Sequence, residues 1–332
     1  MKAQVYDGCQ SWETSFIVQA IFSTDLIDEF GSTLKKAHEF LKNSQVLHDL
    51  PSHQNYYRDR SKGSWTLSTA DNGRSVPDST AETIQALLYL SKVSADIVGL
   101  PIKEERLHDA IDCLLSYVVL NPSESFRNIV VDYPHVECTS SAMQCFILFN
   151  ELYPEYRAEE IKKCIKKAAI FIENQQSKNG SWYGTWGVCF TYGAFFAIKG
   201  LVAAGRTYDN SIHVRNGCNF LISKQLSGGG WGESYHSSEN EDYVHSASPH
   251  AVGTAWAMLA LIYSGQTERD PEPLYRSTKQ LIKMQMETGD FPQQEHVGCF
   301  NSSLYFNYPN YRNLFPIWAL GEFRCRLLGM KK

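Results

Sequence analysis

Apolar residues recur at spacings of three and four along Ala81–Lys92, Arg106–Val118, Ala158–Gln175, Val214–Gln225 and Tyr275–Met286. That stripe is what a half-buried α-helix needs. Between such runs lie short stretches of Gly, Ser, Asp, Asn and Pro, among them SKNGS at 177–181, SGGG at 227–230 and ETGDFP at 287–292, which break helices. The pattern predicts an all-α chain of roughly ten to twelve helices, with no hairpin.

Three segments share one layout: FIENQQSKNGSW at 171–182, FLISKQLSGGGW at 220–231 and QLIKMQMETGDF at 280–291. Each ends a helix, then pairs a Gln with an aromatic six residues on: Gln176 with Trp182, Gln225 with Trp231, Gln285 with Phe291. A looser copy runs from Phe40 through Gln45 to Trp65. The Gln positions are 131, 49 and 60 residues apart, so the wide gap predicts a further copy near Leu115. There Val118 stands where Gln is expected and Asn121-Pro122 follows, so that copy reads as cut. Recurrence at this length implies a helix pair repeated around a ring or solenoid, each unit burying its apolar face on its neighbours. The Gln side chain is expected to bond exposed amides at a neighbouring helix start, with the aromatic packed beside it.

Composition narrows the function classes. The chain has 332 residues, long enough for one large domain or two small ones. Lys+Arg of 31 against Asp+Glu of 36 gives a net charge of −5, which argues against a nucleic-acid partner. At 43% hydrophobic and 13% aromatic it can build a sizeable core. Nine cysteines without a C-x-x-C pair favour reduced thiols over structural zinc or a disulfide framework. The first residues, MKAQVYDGCQSWETSF, lack the apolar core of a signal peptide. The most apolar windows, Gly193–Gly205 and Ala251–Gly265, are too short to span a bilayer, so no transmembrane helix is expected.

Together with the Q-x-x-x-G-x-W repeat, the motifs SKGSW at 61–65, VPDSTAE at 76–82, VECTSSA at 136–142, SWYGTWGVCFTYG at 181–193, GGGWGESY at 228–235, DFPQQE at 290–295 and YRNLFPIWALG at 311–321 carry a resemblance. The chain resembles the C-terminal half of a plant oxidosqualene cyclase over essentially its whole length. The resemblance implies an α/α barrel (toroid) of helix pairs with QW-type repeats, incomplete relative to the family. Residues 1–332 would form a single such domain, with the family's N-terminal barrel absent. It implies an isomerase that cyclises 2,3-oxidosqualene to a polycyclic triterpene alcohol without a cofactor. It also implies peripheral attachment at the cytosolic face of the endoplasmic reticulum membrane or a lipid droplet.

Protonating an epoxide needs an acid stronger than an ordinary side chain. From local sequence alone Asp78 reads as part of a helix cap, with Ser79 and Glu82 as a capping box. The positive end of the helix favours loss of the Asp proton. The resemblance makes Asp78 the proton donor of a D-C-T-A-E motif whose Cys is Ser79 here, and makes Ser79 and Cys138 the acid's hydrogen-bond partners. The cation that follows is stabilised by aromatic faces, each contributing about 1–2 kcal/mol when desolvated. Trp186 and Phe300 match family positions that line the cavity. Two further family aromatics are Leu67 and Arg74 here.

Other candidates lack the required pattern. His245 and His250 form a loop pair without metal-ligand spacing. The pairs Glu104-Glu105 and Glu159-Glu160 sit at expected helix starts, and the Gly228–Ser234 run lacks a phosphate-loop ending. The isolated, truncated chain is expected to be inactive and poorly soluble, and two alternatives stand beside the cyclase reading. One is a catalytically dead fragment or binding remnant; the other is a β-subunit-like α-barrel of a protein prenyltransferase, which would need zinc held by Asp, Cys and His.

Overall fold

The structure, a computed structural model, describes residues 8–56, 60–72, 75–119, 134–300, 302 and 304–329. Arg74, the Val118 side chain and the stretch 120–133, where the cut copy is expected, lie outside the described residues. Two compact units emerge. One holds the described parts of Met1–Phe22, Leu26–Tyr133 and Ser141–Ile165, the other those of Ser23–Asp25, Pro134–Ser140 and Lys166–Lys332.

The first unit carries α1 (Gln10–Phe22), α2 (Gly31–Asn43), α3 (Pro77–Leu90), α4 (Ala95–Val98) and α5 (Glu104–Val119). Residues of α6 (Val136–Leu152) and α7 (Ala158–Asn174) belong to both units. Helix α3 packs on α1, α2 and α5. From Ser79 to Leu88 every residue of α3 is buried, and Ile84, Leu87 and Leu88 join Val18, Leu41, Trp65, Ile111 and Phe146 in one core.

The second unit carries α8 (Phe190–Ala203), α9 (Ile212–Lys224), α10 (His236–Asn240), α11 (Ala251–Tyr263), α12 (Gln266–Arg269), α13 (Glu272–Met284) and α14 (Tyr311–Leu327). Helix α11, buried from Ala251 to Ile262, packs on α8, α9, α13 and α14. A helix apolar all round has to sit in the interior, and α8 and α11 are the two apolar windows of the sequence. The expected helical stripes fall in α3, α5, α7, α9 and α13.

One expectation fails. The chain does contain a hairpin: β1 (Gly298–Phe300) runs antiparallel to β2 (Leu304–Phe306), pairing Gly298 with Phe306, Cys299 with Tyr305 and Phe300 with Leu304. Three-residue strands are too short to show a period of two.

The Gln–aromatic segments form one recurring corner. Gln45, Gln176 and Gln225 donate from Nε2 to the carbonyls of Gly63, Gly180 and Gly229, at 2.9, 3.0 and 2.7 Å. The same nitrogens reach the carbonyls of Arg106, His213 and Pro273 in the first turns of α5, α9 and α13. The partners are therefore helix-start carbonyls, not the amides expected. A side-chain amide nitrogen can only donate, and a carbonyl oxygen has a second lone pair to offer. The three glycines have φ of 93°, 90° and 99°, and a Cβ on each would press into the backbone of Asp109, Asn216 and Arg276. Only glycine fits there. Gln285 makes the first bond alone, to Gly289 at 2.8 Å, where nothing approaches within 4 Å.

The aromatic completes the corner. Trp65, Trp182 and Trp231 are fully buried and donate from Nε1 to the carbonyls of Leu41, Ile172 and Leu221, at 2.7, 2.8 and 2.7 Å. Each bond closes a carbonyl near the end of the preceding helix. The main-chain N–H of Trp65, Trp231 and Phe291 donates to Thr80 Oγ1, Thr254 Oγ1 and Asn313 Oδ1 in the first turns of α3, α11 and α14. The fourth corner uses close contact instead, since a Cβ on Gly193 of α8 would strike the Trp182 carbonyl.

Candidate active site

Helix α3 starts at Pro77, earlier than the sequence suggests, because proline's fixed φ and missing N–H suit the first helical position. Val76 is the N-cap and contributes no side-chain bond. Asp78 therefore lies in the first turn, where the helix end favours a negative charge. It is half-buried, and its Oδ1 accepts from the Ser79 backbone N–H at 2.9 Å.

The expected capping box is absent. The Ser79 hydroxyl donates to the Thr66 carbonyl at 2.7 Å, so its one proton is committed there and not to Asp78. Ser79 partners the acid through its backbone instead. Glu82 is sealed, its Oε2 accepting from Gln19 Nε2 of α1 at 2.7 Å and its Oε1 from Ser141 Oγ of α6 at 2.6 Å. A carboxylate buried on both sides by donors from other helices fixes the rotation of α3, and with it the direction of the turn that bears Asp78. Leu67 is half-buried, and its carbonyl accepts from Ser11 and Trp12 at the start of α1. The residue is thus a main-chain anchor for the start of α1.

In the second unit Trp186 and Phe300 come together edge to face, ring centroids 4.9 Å apart at 74°. The loop bearing Trp186 is stitched to the hairpin: Val188 donates to the Val297 carbonyl at 2.9 Å and Cys299 to the Trp186 carbonyl at 3.2 Å. Behind it, Glu137 Oε1 accepts the N–H groups of Thr185 and Trp186 at 2.7 and 2.9 Å. His135 stands edge-on to the Trp186 ring at 6.1 Å, with Nδ1 3.1 Å from Thr185 Oγ1. Burial pushes the His135 imidazole down to about 4, so it adds no positive charge beside the rings at neutral pH. Burial likewise pushes the Cys189 and Cys299 thiols up, leaving them neutral. Cys138, half-buried and in no disulfide, lies in the first turn of α6, next in the chain to Glu137.

A second carboxylate works as Glu137 does. Glu233 accepts from the Phe190 and Thr191 amides at the start of α8, both at 2.9 Å. Burial raises its pKa, with those amides pulling the other way. Sequence reasoning gave Glu82 only a capping role and did not single out Glu137 or Glu233. The available signal was an acidic residue inside an otherwise apolar or small-residue run, as in VECTSSA. Among the described residues no group of three His, Cys, Asp or Glu side chains is placed to hold a metal ion, and none of the nine cysteines is in a disulfide. No described helix is long and apolar enough to cross a membrane.

The chain is similar to proteins named as onocerin and lanosterol synthases. Over its full length it is 43% identical to the alpha-onocerin synthase of Lycopodium clavatum, covering 46% of that protein. It is 40% identical to the lanosterol synthase of Homo sapiens over 97% of the chain and 47% of that protein. The chain thus spans about half the length of these relatives. The type II terpene cyclase MstE of Scytonema superimposes with a TM-score of 0.60 at 11% identity, over 97% of this chain and 89% of that one. A polysaccharide lyase does so with a TM-score of 0.63, also at 11%, over 98% and 93%. Such likeness shows the α/α-barrel fold class alone, since the two chemistries are unrelated. Residues 109–325 match the squalene-hopene cyclase C-terminal domain. Asp78 and Ser79 precede that span and fall within the full-length alignment. With well over half its residues inside the match, Trp186 and Phe300 among them, the chain belongs to the squalene-hopene cyclase C-terminal domain family.

Proposed function

We propose that this chain carries the acid-bearing part of a triterpene cyclase acting on 2,3-oxidosqualene. Asp78 hands its proton to the epoxide oxygen, the carbon–oxygen bond at the tertiary carbon breaks, and the neighbouring alkene supplies the electron pair that closes the first ring. Trp186 and Phe300 offer aromatic faces to the migrating positive charge, which neither ring can quench as a base would. Loss of a proton from carbon ends the sequence, so the product is an isomer of the substrate and no cofactor enters. Ser79 holds the Asp78 carboxyl through its N–H. A water-insoluble substrate places the work at the cytosolic face of the endoplasmic reticulum or a lipid droplet.

The observation that carries this reading is the contrast along α3. Asp78 stays partly accessible at the mouth of a helix whose next ten residues are sealed. A purely structural first-turn acid needs no such scaffold. The test is a product assay with 2,3-oxidosqualene, on the chain alone and on the chain joined behind the remaining half of a relative. The joined form is expected to yield an isomer of unchanged mass. Leu67, aliphatic where the family has an aromatic, favours the second reading, a binding remnant. That reading gains if the joined form retains substrate but releases no isomer.

A further inference from the structure

Trp186 is fixed differently from the three corner tryptophans, and it differs from Trp256, whose Nε1 also lacks a partner, in being only half-buried. Trp65, Trp182 and Trp231 are each tied by an indole N–H bond to a helix-end carbonyl. Trp186 has a buried Nε1 with no hydrogen-bond partner. Its ring therefore takes its position from its backbone and from ring contacts. The backbone is held at both ends of the residue: the N–H by Glu137 and the carbonyl by the Cys299 amide of β1. Glu137 is 1% exposed and also takes the Thr185 N–H, so one carboxylate oxygen sets two consecutive peptide groups. Carboxylate-to-amide bonds of this kind are among the stronger ones, and more so away from water.

We propose that Glu137 is a positioning residue for Trp186: its carboxylate sets the 185–186 backbone and thereby the placement of the indole against Phe300. The inference rests on the reading of Trp186 as a cation-facing ring, and it names a residue which that reading did not use. The neutral state of His135 supports it, because a charged imidazole would compete with Glu137 for control of the Thr185–Trp186 segment.

Two conservative variants separate positioning from mere burial. Glu137→Gln keeps the reach and an acceptor oxygen for both amides. Glu137→Asp keeps the charge and withdraws the acceptor by one methylene, so the loop must follow it or lose the bonds. The chain contains seven tryptophans, and 5-fluorotryptophan labelling gives each a 19F resonance, with Trp186→Phe identifying that of Trp186. The Asp variant is expected to move the Trp186 resonance while those of Trp182 and Trp231 stay, and to speed hydrogen exchange at the Thr185 and Trp186 amides. The Gln variant is expected to leave both readouts near the parent. In the joined cyclase, kcat of the Asp variant should fall about 10–100-fold with KM little changed, as for a displaced catalytic group. If Glu137→Asp leaves the Trp186 resonance and both amides as in the parent, or if Glu137→Gln disturbs them and Asp does not, the assignment is overturned. Should Asp fail to fold, Glu137→Ser, which has an even shorter reach, takes its place with the same criteria. A moved resonance in a chain that never cyclises would sink the cyclase reading and leave the positioning role standing.

Discussion

Trp231 and Trp186 belong to the same unit and are held in opposite ways. Trp231 sits in a helix-to-helix corner, fully buried, with its indole bonded to the Leu221 carbonyl and its main-chain N–H to Thr254. Trp186 sits on a loop stitched to a hairpin, half-buried, with an unbonded indole and its ring in an edge-to-face contact with Phe300. A ring whose polar atom is spent on the scaffold is fixed for stability. Trp186 lacks that tie and is only half-buried, unlike Trp256, a core ring whose Nε1 is also unpartnered but which is fully buried among Tyr192, Tyr311 and Phe315. The same contrast divides the carboxylates. Glu82 and Glu233 have both oxygens committed to donors in other segments, whereas Asp78 has a partner in its own chain neighbour and remains partly accessible.

The largest effect should come from the corner. Trp231→Ala is expected to lower unfolding free energy by about 3–5 kcal/mol, the usual cost of emptying a buried aromatic site. Denaturant titration by far-UV circular dichroism measures it, and a loss below about 1 kcal/mol would erase the distinction between the two tryptophans.

A pH effect of similar size belongs to His250, the N-cap of α11. Its Nδ1 accepts from the Val252 N–H at 3.2 Å while Nε2 faces the Glu295 carbonyl, and burial pushes its pKa down to about 4. In the unfolded chain it binds a proton below about 6.5, so between those values the unfolded state holds more protons. Stability should therefore decline as pH drops from about 6.5 to about 4, by up to about 3 kcal/mol from this group. Glu233, with its raised pKa, acts with the opposite sign. The check is thus the difference between the parent and His250→Asn, whose profile should be flatter across that window; identical slopes would contradict the assignment.

Gln225→Ala should be milder, about 1–2 kcal/mol, because two carbonyls lose a donor at a partly exposed corner. Smallest in stability is Trp186→Phe, expected below about 1 kcal/mol, with an altered product mixture in the joined cyclase as its signature. If Trp186→Phe cost as much stability as Trp231→Ala and left products unchanged, Trp186 would be another scaffold residue.

Much of the fold was legible in the sequence because helical periodicity is local. The stripes in α5, α7, α9 and α13 and the glycine-marked corners can be read from spacing alone. The start of α3 was misplaced because Ser79 and Glu82 satisfy a local capping pattern that tertiary contacts override: Ser79 bonds Thr66, and Glu82 bonds Gln19 and Ser141. The hairpin escaped notice because its pairing joins segments too short to carry a pattern. For the candidate site, the motifs carried Asp78, Trp186 and Phe300. The clamps Glu137 and Glu233 did not stand out, since their partners lie more than forty residues away in sequence.

The most direct test of the central claim is turnover by Asp78→Asn. Asparagine keeps an oxygen to accept the Ser79 N–H, so the fold and its unfolding midpoint should be preserved while the transferable proton is gone. In the joined cyclase, formation of the triterpene isomer from 2,3-oxidosqualene should fall roughly 10²–10⁴-fold, the range expected for loss of a general acid. An asparagine variant that folds and cyclises at the parent rate would contradict the account.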